Sequence, residues 1–197
     1  MEEMVRQGYY VLRMGSVVKE PLEINNPRII DYAWSLERNE FMDLYIYARC
    51  HFAVGSFSGP IDLATSLGKP VAAVNSAVIL SNNYHGFRKT VVSSKLLFNE
   101  SKDRLMTLNE IIDSNCLYFD RTLQFEKNGI KLIENKSETI TQLVIEVADR
   151  TNGVWRETKT QQDLQNKFWG IIENRLDLNR WRNRGRGKGW PEINEPE

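Results

Sequence analysis

Residues 51–75 constrain the fold more tightly than any other part of the chain. His51-Phe52-Ala53-Val54-Gly55 is a short apolar run that leads into Ser56-Phe57-Ser58-Gly59, a stretch of turn formers. Pro60 opens a helical segment over 60–67, where its missing N–H costs nothing. Gly68 stands where a helix terminates in the left-handed conformation, and Pro70 blocks any continuation. Val71-Ala72-Ala73-Val74-Asn75 follows as a second apolar run. Both runs are continuous rather than alternating, the mark of strands buried on both faces of a parallel sheet. The stretch therefore reads as one βαβ unit.

The same alternation extends upstream. Residues 1–7 read as the tail of a helix, Gly8 punctuates, and Tyr9-Tyr10-Val11-Leu12-Arg13-Met14 reads as a strand. Half a helix running into a buried strand is what a chain starting mid-protein looks like; the alternative is a short native N-terminal helix. A loop over 15–27 leads to a short strand at 28–33. The segment 40–50 is a helix carrying Phe41, Leu44, Tyr45 and Ala48 on one face. Strand and helix thus alternate over 8–75, which predicts an α/β fold, a Rossmann-like parallel sheet flanked by helices.

Downstream, 94–98 predicts a short strand. Thr107 and Glu110 have the spacing of a capping box. Residues 117–133 alternate weakly and contain Asn128-Gly129, which reads as a hairpin turn. Ile140, Leu143, Val144 and Val147 predict an amphipathic helix over 137–151, and Leu164, Phe168, Ile171 and Ile172 a second over 161–176. The second carries more apolar surface than one narrow face, which suits packing onto another domain or a dimer contact. From 178 the composition changes to alternating Arg and Gly with Trp181 and Trp190, then to Glu192, Glu195 and Glu197, a flexible basic and then acidic tail. The expected organisation is a Rossmann-like domain over 1–115, a helical extension over 116–177 and the tail over 178–197.

Composition enters as a filter. The 197 residues carry 26 basic and 26 acidic side chains, which excludes a globally basic nucleic-acid binder and an acidic disordered chain. No apolar run approaches the roughly 20 residues of a membrane span, and no export signal is visible. Cys50 and Cys116 are far apart and predict free buried thiols in a reducing compartment, so the expected location is the cytoplasm.

Ligands bind open α/β sheets at the carboxyl ends of the strands. Gly55, Ser56, Ser58, Gly59 and Pro60 lie at such an end and open a helix, so unpaired amides and the helix dipole converge where a phosphate would sit. The alternative is a capped helix with nothing bound, Ser58 serving as N-cap and Asp62 complementing the dipole. Arg13, just before Gly15, ends an apolar strand and either meets a ligand phosphate or forms a structural ion pair with Asp31 or Asp43. Asn75 and Ser76 end the next strand, lining the same cleft or beginning a turn. His51 reads as structural; His85, in a polar loop, is a candidate substrate contact. There is no P-loop, no dinucleotide fingerprint, no Asp-x-Asp pair, no zinc spacing and no nucleophile elbow.

The ordered series Gly8-Tyr9-Tyr10-Val11-Leu12-Arg13-Met14-Gly15, Ile30-Asp31-Tyr32-Ala33, Phe41-Met42-Asp43-Leu44-Tyr45, Ala48-Arg49-Cys50-His51-Phe52, Gly55-Ser56-Phe57-Ser58-Gly59, Pro70-Val71 and Val74-Asn75 resembles a family of bacterial glycosyltransferases of surface-polysaccharide biosynthesis. The resemblance covers about residues 5–115, corresponds to the C-terminal half of a GT-B fold, and continues more loosely through the helix at 137–151. It implies binding of a nucleotide-sugar donor, with the Ser58-Gly59-Pro60 helix start cradling the diphosphate and Arg13 neutralising the leaving nucleotide. Asp43 falls on a motif position and either orients Arg13 or caps its helix. No cofactor and no metal are expected, the acceptor being a glycan or a lipid-linked sugar. Family members are about twice as long, so the resemblance implies that the acceptor domain and any general base lie outside these residues and leaves the catalytic residues unknown. A peripheral contact at the inner face of the membrane is compatible with this reading, as is a homodimer in place of the missing domain; no specific nucleic-acid partner is expected. The competing reading is a truncated, non-catalytic interaction module working through its Arg/Gly/Trp tail.

Overall fold

The computed structural model describes residues 1–77, 89–119 and 121–175. His85 and the tail from 178 lie outside the described residues. The chain is α/β, with parallel strands flanked by helices. After α1 (Glu2–Arg6), β1 (Val11–Leu12) pairs in parallel with β2 (Ile29–Ile30). α2 (Glu40–Arg49) leads to β3 (Ala53–Gly55), and α3 (Gly59–Ser66) crosses over to β4 (Val71–Ser76). β3, β4 and β5 (Thr90–Ser94) form a parallel sheet in that order. Three antiparallel strands follow: β6 (Leu96–Asn99) lies between β7 (Arg104–Leu105) and β8 (Ile130–Ile133). Around them are α4 (Leu108–Asp113), α5 (Thr122–Lys127), α6 (Ser137–Thr151) and α7 (Lys159–Arg175).

β4 shows why its apolar run is continuous. Ala72 faces α1 and α6, where it packs with Met4, Val144, Val147 and Ala148. Val71 and Ala73 face the opposite side, against Ile61 and Ala64 of α3. All three strand residues are fully buried. A strand covered on both faces has no polar face to alternate with. The outer strands differ: Ile30 of β2 and Val54 of β3 are exposed, so cover on both faces is complete only in the centre.

The antiparallel half has its own core of Leu97, Cys116, Leu117, Phe125, Ile130 and Ile172. Three expectations change here. Residues 116–177 are not helical throughout, because β8 lies among them. Asn128-Gly129 is not a hairpin turn: Asn128 ends α5 and Gly129 follows with φ 63°, so it does for α5 what Gly68, at φ 71°, does for α3. Phe41, Leu44 and Tyr45 of α2 point to solvent, and the helix buries its other side through Tyr47 and the adjoining Cys50. The capping box at Thr107 and Glu110 forms as its spacing predicts. Glu110 also binds Lys102 and both arms of Arg104, and these partners hold its carboxyl far below the usual range. In α7, Phe168 and Ile172 pack inward on this core, while Leu164 and Trp169 are exposed. Among the described residues, no helix is long and apolar enough to cross a membrane.

Candidate functional site

The site is built where β3 and β4 end. Gly55 closes β3 against the first turn of α3. A Cβ there would stand 3.0 Å from Ile61 side-chain carbons, so the close approach of strand end and helix start favours glycine. Gly59 has open space around its Cα and an ordinary φ, and its place is not dictated by packing.

Ser58 occupies the N-cap position with an extended backbone, but its hydroxyl does not cap α3. It donates instead to the Ser56 carbonyl at 3.2 Å. The helix ladder begins with Asp62 N–H on the Ser58 carbonyl, at 2.9 Å. The amides of Gly59 and Ile61 precede that ladder, and Pro60 between them has none. An eight-residue helix thus starts with exposed Ser56, Ser58 and Gly59 and without side-chain capping. Such a start has both the donors and the dipole to receive an anion.

Next to this turn in the sheet, the end of β4 is locked. Asn75 has φ 52° at an irregularity in the β4–β5 register. Its N–H donates to Asn135 Oδ1 at 3.1 Å, and its Oδ1 accepts from the Asn135 N–H at 2.6 Å. Asn135 Nδ2 donates to the Ser94 carbonyl. Asn75 is therefore a clasp between β4, β5 and the β8–α6 loop. Ser76, one residue on, is buried with its hydroxyl unpartnered.

Arg13 forms the structural pair rather than standing free for a ligand. Its Nε and Nη2 donate to the two Asp31 oxygens at 2.7 and 2.8 Å, and Nη2 also donates to the Glu20 carbonyl. Asp31 accepts the Leu22 N–H as well. Partial burial pushes the Asp31 carboxyl upward, but the Leu22 amide and the Arg13 guanidinium outweigh it and hold it below its ordinary value. The pair pins the loop that begins at Gly15, whose φ of 145° suits glycine. Asp43 neither orients Arg13 nor caps its helix: it accepts from Arg38 Nη2 at 2.8 Å, and Asn39 caps α2 through the Met42 amide. Arg38 Nε and Asp43 Oδ1 are buried without partners beside that bond.

The structure thus brings Gly55, Ser56, Ser58, Gly59 and Pro60 together at one helix start and places Asn75 and Ser76 at the end of the paired strand. Arg13 and Asp43 are drawn into separate ion pairs. Residue patterns do not single out Asn135 or Arg38, because their partners are set by the fold: Asn75 and Ser94 for Asn135, Asp43 for Arg38. Among the described residues, no three His, Cys, Asp or Glu side chains converge to hold a metal. No family model, curated protein or solved structure matches the chain.

Proposed function

We propose that this chain is the donor-binding half of a glycosyltransferase that moves a sugar from a nucleotide sugar to a glycan or lipid-linked acceptor in surface-polysaccharide biosynthesis. The motif series over 5–115 suggests the family, and one observation carries the site: α3 begins at the end of β3 with its N-terminus uncapped. In this reading the Gly59 and Ile61 amides and the Ser56 and Ser58 hydroxyls receive the donor diphosphate. As the glycosidic bond to the donor breaks, negative charge grows on the leaving nucleoside diphosphate, and these fixed dipoles stabilise it. Arg13 acts as a positioning residue: through Asp31 it holds the loop 15–22, and its guanidinium is not the phosphate ligand. Asn75 plays a similar part at the end of β4. The acceptor and the general base are assigned to a partner domain. A cytoplasmic location, with contact at the inner membrane face, goes with this reading.

Titration calorimetry with nucleoside diphosphates and their sugar conjugates tests it. At least one conjugate is expected to bind at millimolar concentration or below, and Gly55→Val, which displaces the start of α3, to abolish that binding. Absence of binding across the panel overturns the reading.

A further inference from the structure

The opposite edge of the same sheet, where the strands begin, is built differently. Ala53 pairs with Val71, and Val71 with Thr90. The residues leading into these strands therefore stand side by side: His51, Lys69 and Lys89. Neighbouring strands lie about 4.8 Å apart, so the row spans roughly 10 Å. Main-chain bonds fix it, with Ala53 N–H on the Pro70 carbonyl and Val71 N–H on the Lys89 carbonyl, at 2.9 and 2.8 Å. Arg49, the last residue of α2, stands beside the row. Together they line a groove of about 480 Å³ whose lining includes no carboxylate.

The cations here have no carboxylate partner among the described residues. Arg6, Arg13, Arg38, Lys95, Lys102, Arg104, Arg150, Lys159 and Arg175 are all paired, whereas Arg49, Lys69 and Lys89, like several other described basic residues, are not. What sets these three apart is that they line one groove together. Arg49 ends α2 and Lys69 follows α3, so helix dipoles offset about half a charge at each. Lys89 follows no described helix, and the groove stays net positive. His51 forms its wall. Asn152 bridges the Tyr9 hydroxyl and the imidazole, with Nδ2 donating to Tyr9 and Oδ1 3.0 Å from His51 Nε2.

We propose that this strand-entry groove is a second anion site, distinct from the start of α3, that takes a ligand ending in an oligophosphate. Two lysines along the row, with Arg49 beside it, match several linked phosphates better than a single small anion. Lysine ammoniums bind such groups as point charges from flexible stems. A nucleotide sugar has no terminal phosphate and offers this groove less charge, so the two edges are expected to select different ligands.

Cys50 lines the groove and is part-buried: burial pushes its thiol pKa up and the Lys69 charge partly offsets this, whereas Cys116 is fully buried. Labelling by a charged thiol reagent therefore reports on the groove. Tripolyphosphate is expected to bind at least tenfold more tightly than orthophosphate by calorimetry and to slow Cys50 labelling several-fold. The Lys69→Ala/Lys89→Ala double variant, and more weakly Lys89→Ala alone, should lose the tripolyphosphate affinity with an unchanged circular dichroism spectrum. Ser58→Asp, which places a carboxylate at the other edge, should bind tripolyphosphate like the parent. Equal affinity for the two anions, unchanged binding in the double variant, or loss of binding in Ser58→Asp would each overturn the proposal.

Discussion

The two edges of the parallel sheet handle positive charge in opposite ways. At the edge where strands end, Arg13, Arg38 and Lys95 are each held by a carboxylate. At the edge where strands begin, Arg49, Lys69 and Lys89 have no such partner among the described residues. A count of basic residues near a strand end therefore says little about anion binding. What matters is whether the charge is already committed. In the proposed reading, recognition of a phosphate at the exit edge falls to backbone amides and hydroxyls at the start of α3, while Arg13 and Arg38 are held in ion pairs.

The comparison can be broken at several points. Asn75→Val should have the largest effect on stability. It forces a branched side chain into φ 52° and deletes the Oδ1 acceptor of the Asn135 N–H, for a combined loss of about 3 kcal/mol in denaturant unfolding. Asn75→Gly, which relieves the backbone but loses the side-chain bond, should lose less than half of that. Gly55→Val should cost about 2 kcal/mol through overpacking on Ile61, together with the loss of donor binding described above. A stable Gly55→Val protein that binds normally would show that the close approach of β3 and α3 is not needed.

A smaller effect separates Arg13 from the ligand. The Asp31 carboxyl lies below its ordinary value in the folded chain, so its stabilising contribution is present above about pH 4 and is lost as pH falls below that. Asp31→Asn should lower Tm at neutral pH and flatten the acid limb of the Tm–pH curve. The slope should not vanish, because Glu110 loses its contribution over the same acid range. The smallest effect belongs to Ser58→Ala. A serine that caps a helix is worth about 1 kcal/mol, but this hydroxyl makes no cap bond, so the change should stay within about 0.5 kcal/mol.

The legible parts of the sequence were those governed by local chemistry. The β3–α3–β4 unit follows from continuous apolar runs, Pro60, Gly68 and Pro70, and the Thr107 box from a three-residue spacing. The antiparallel sheet was hidden because β6 and β8 are short and are separated by the 30 residues between Asn99 and Ile130. Weak alternation before Asn128-Gly129 imitates a hairpin, although the same Gly chemistry ends a helix. At the site, the clustering of Gly55, Ser56, Ser58 and Gly59 was readable. The Asn75–Asn135 clasp spans 60 positions and has no local signature. The Arg13–Asp31 pair was one of two readings that strand chemistry permits, and only the loop between them decides it. The hydroxyl of Ser58 was the least accessible feature, since capping and turning onto Ser56 differ by a single rotation.

Backbone amide NMR on the full chain compares the two edges directly. On titration with a nucleotide sugar, the Gly59 and Ile61 amides at the start of α3 are expected to move most, with smaller changes at His51, Lys69 and Lys89. Ser58→Asp should abolish the movement at Gly59 and Ile61 while leaving the fold intact. Gly59 and Ile61 amides that stay in place at saturating ligand, or that move as much in Ser58→Asp, would contradict the assignment of the donor to the start of α3.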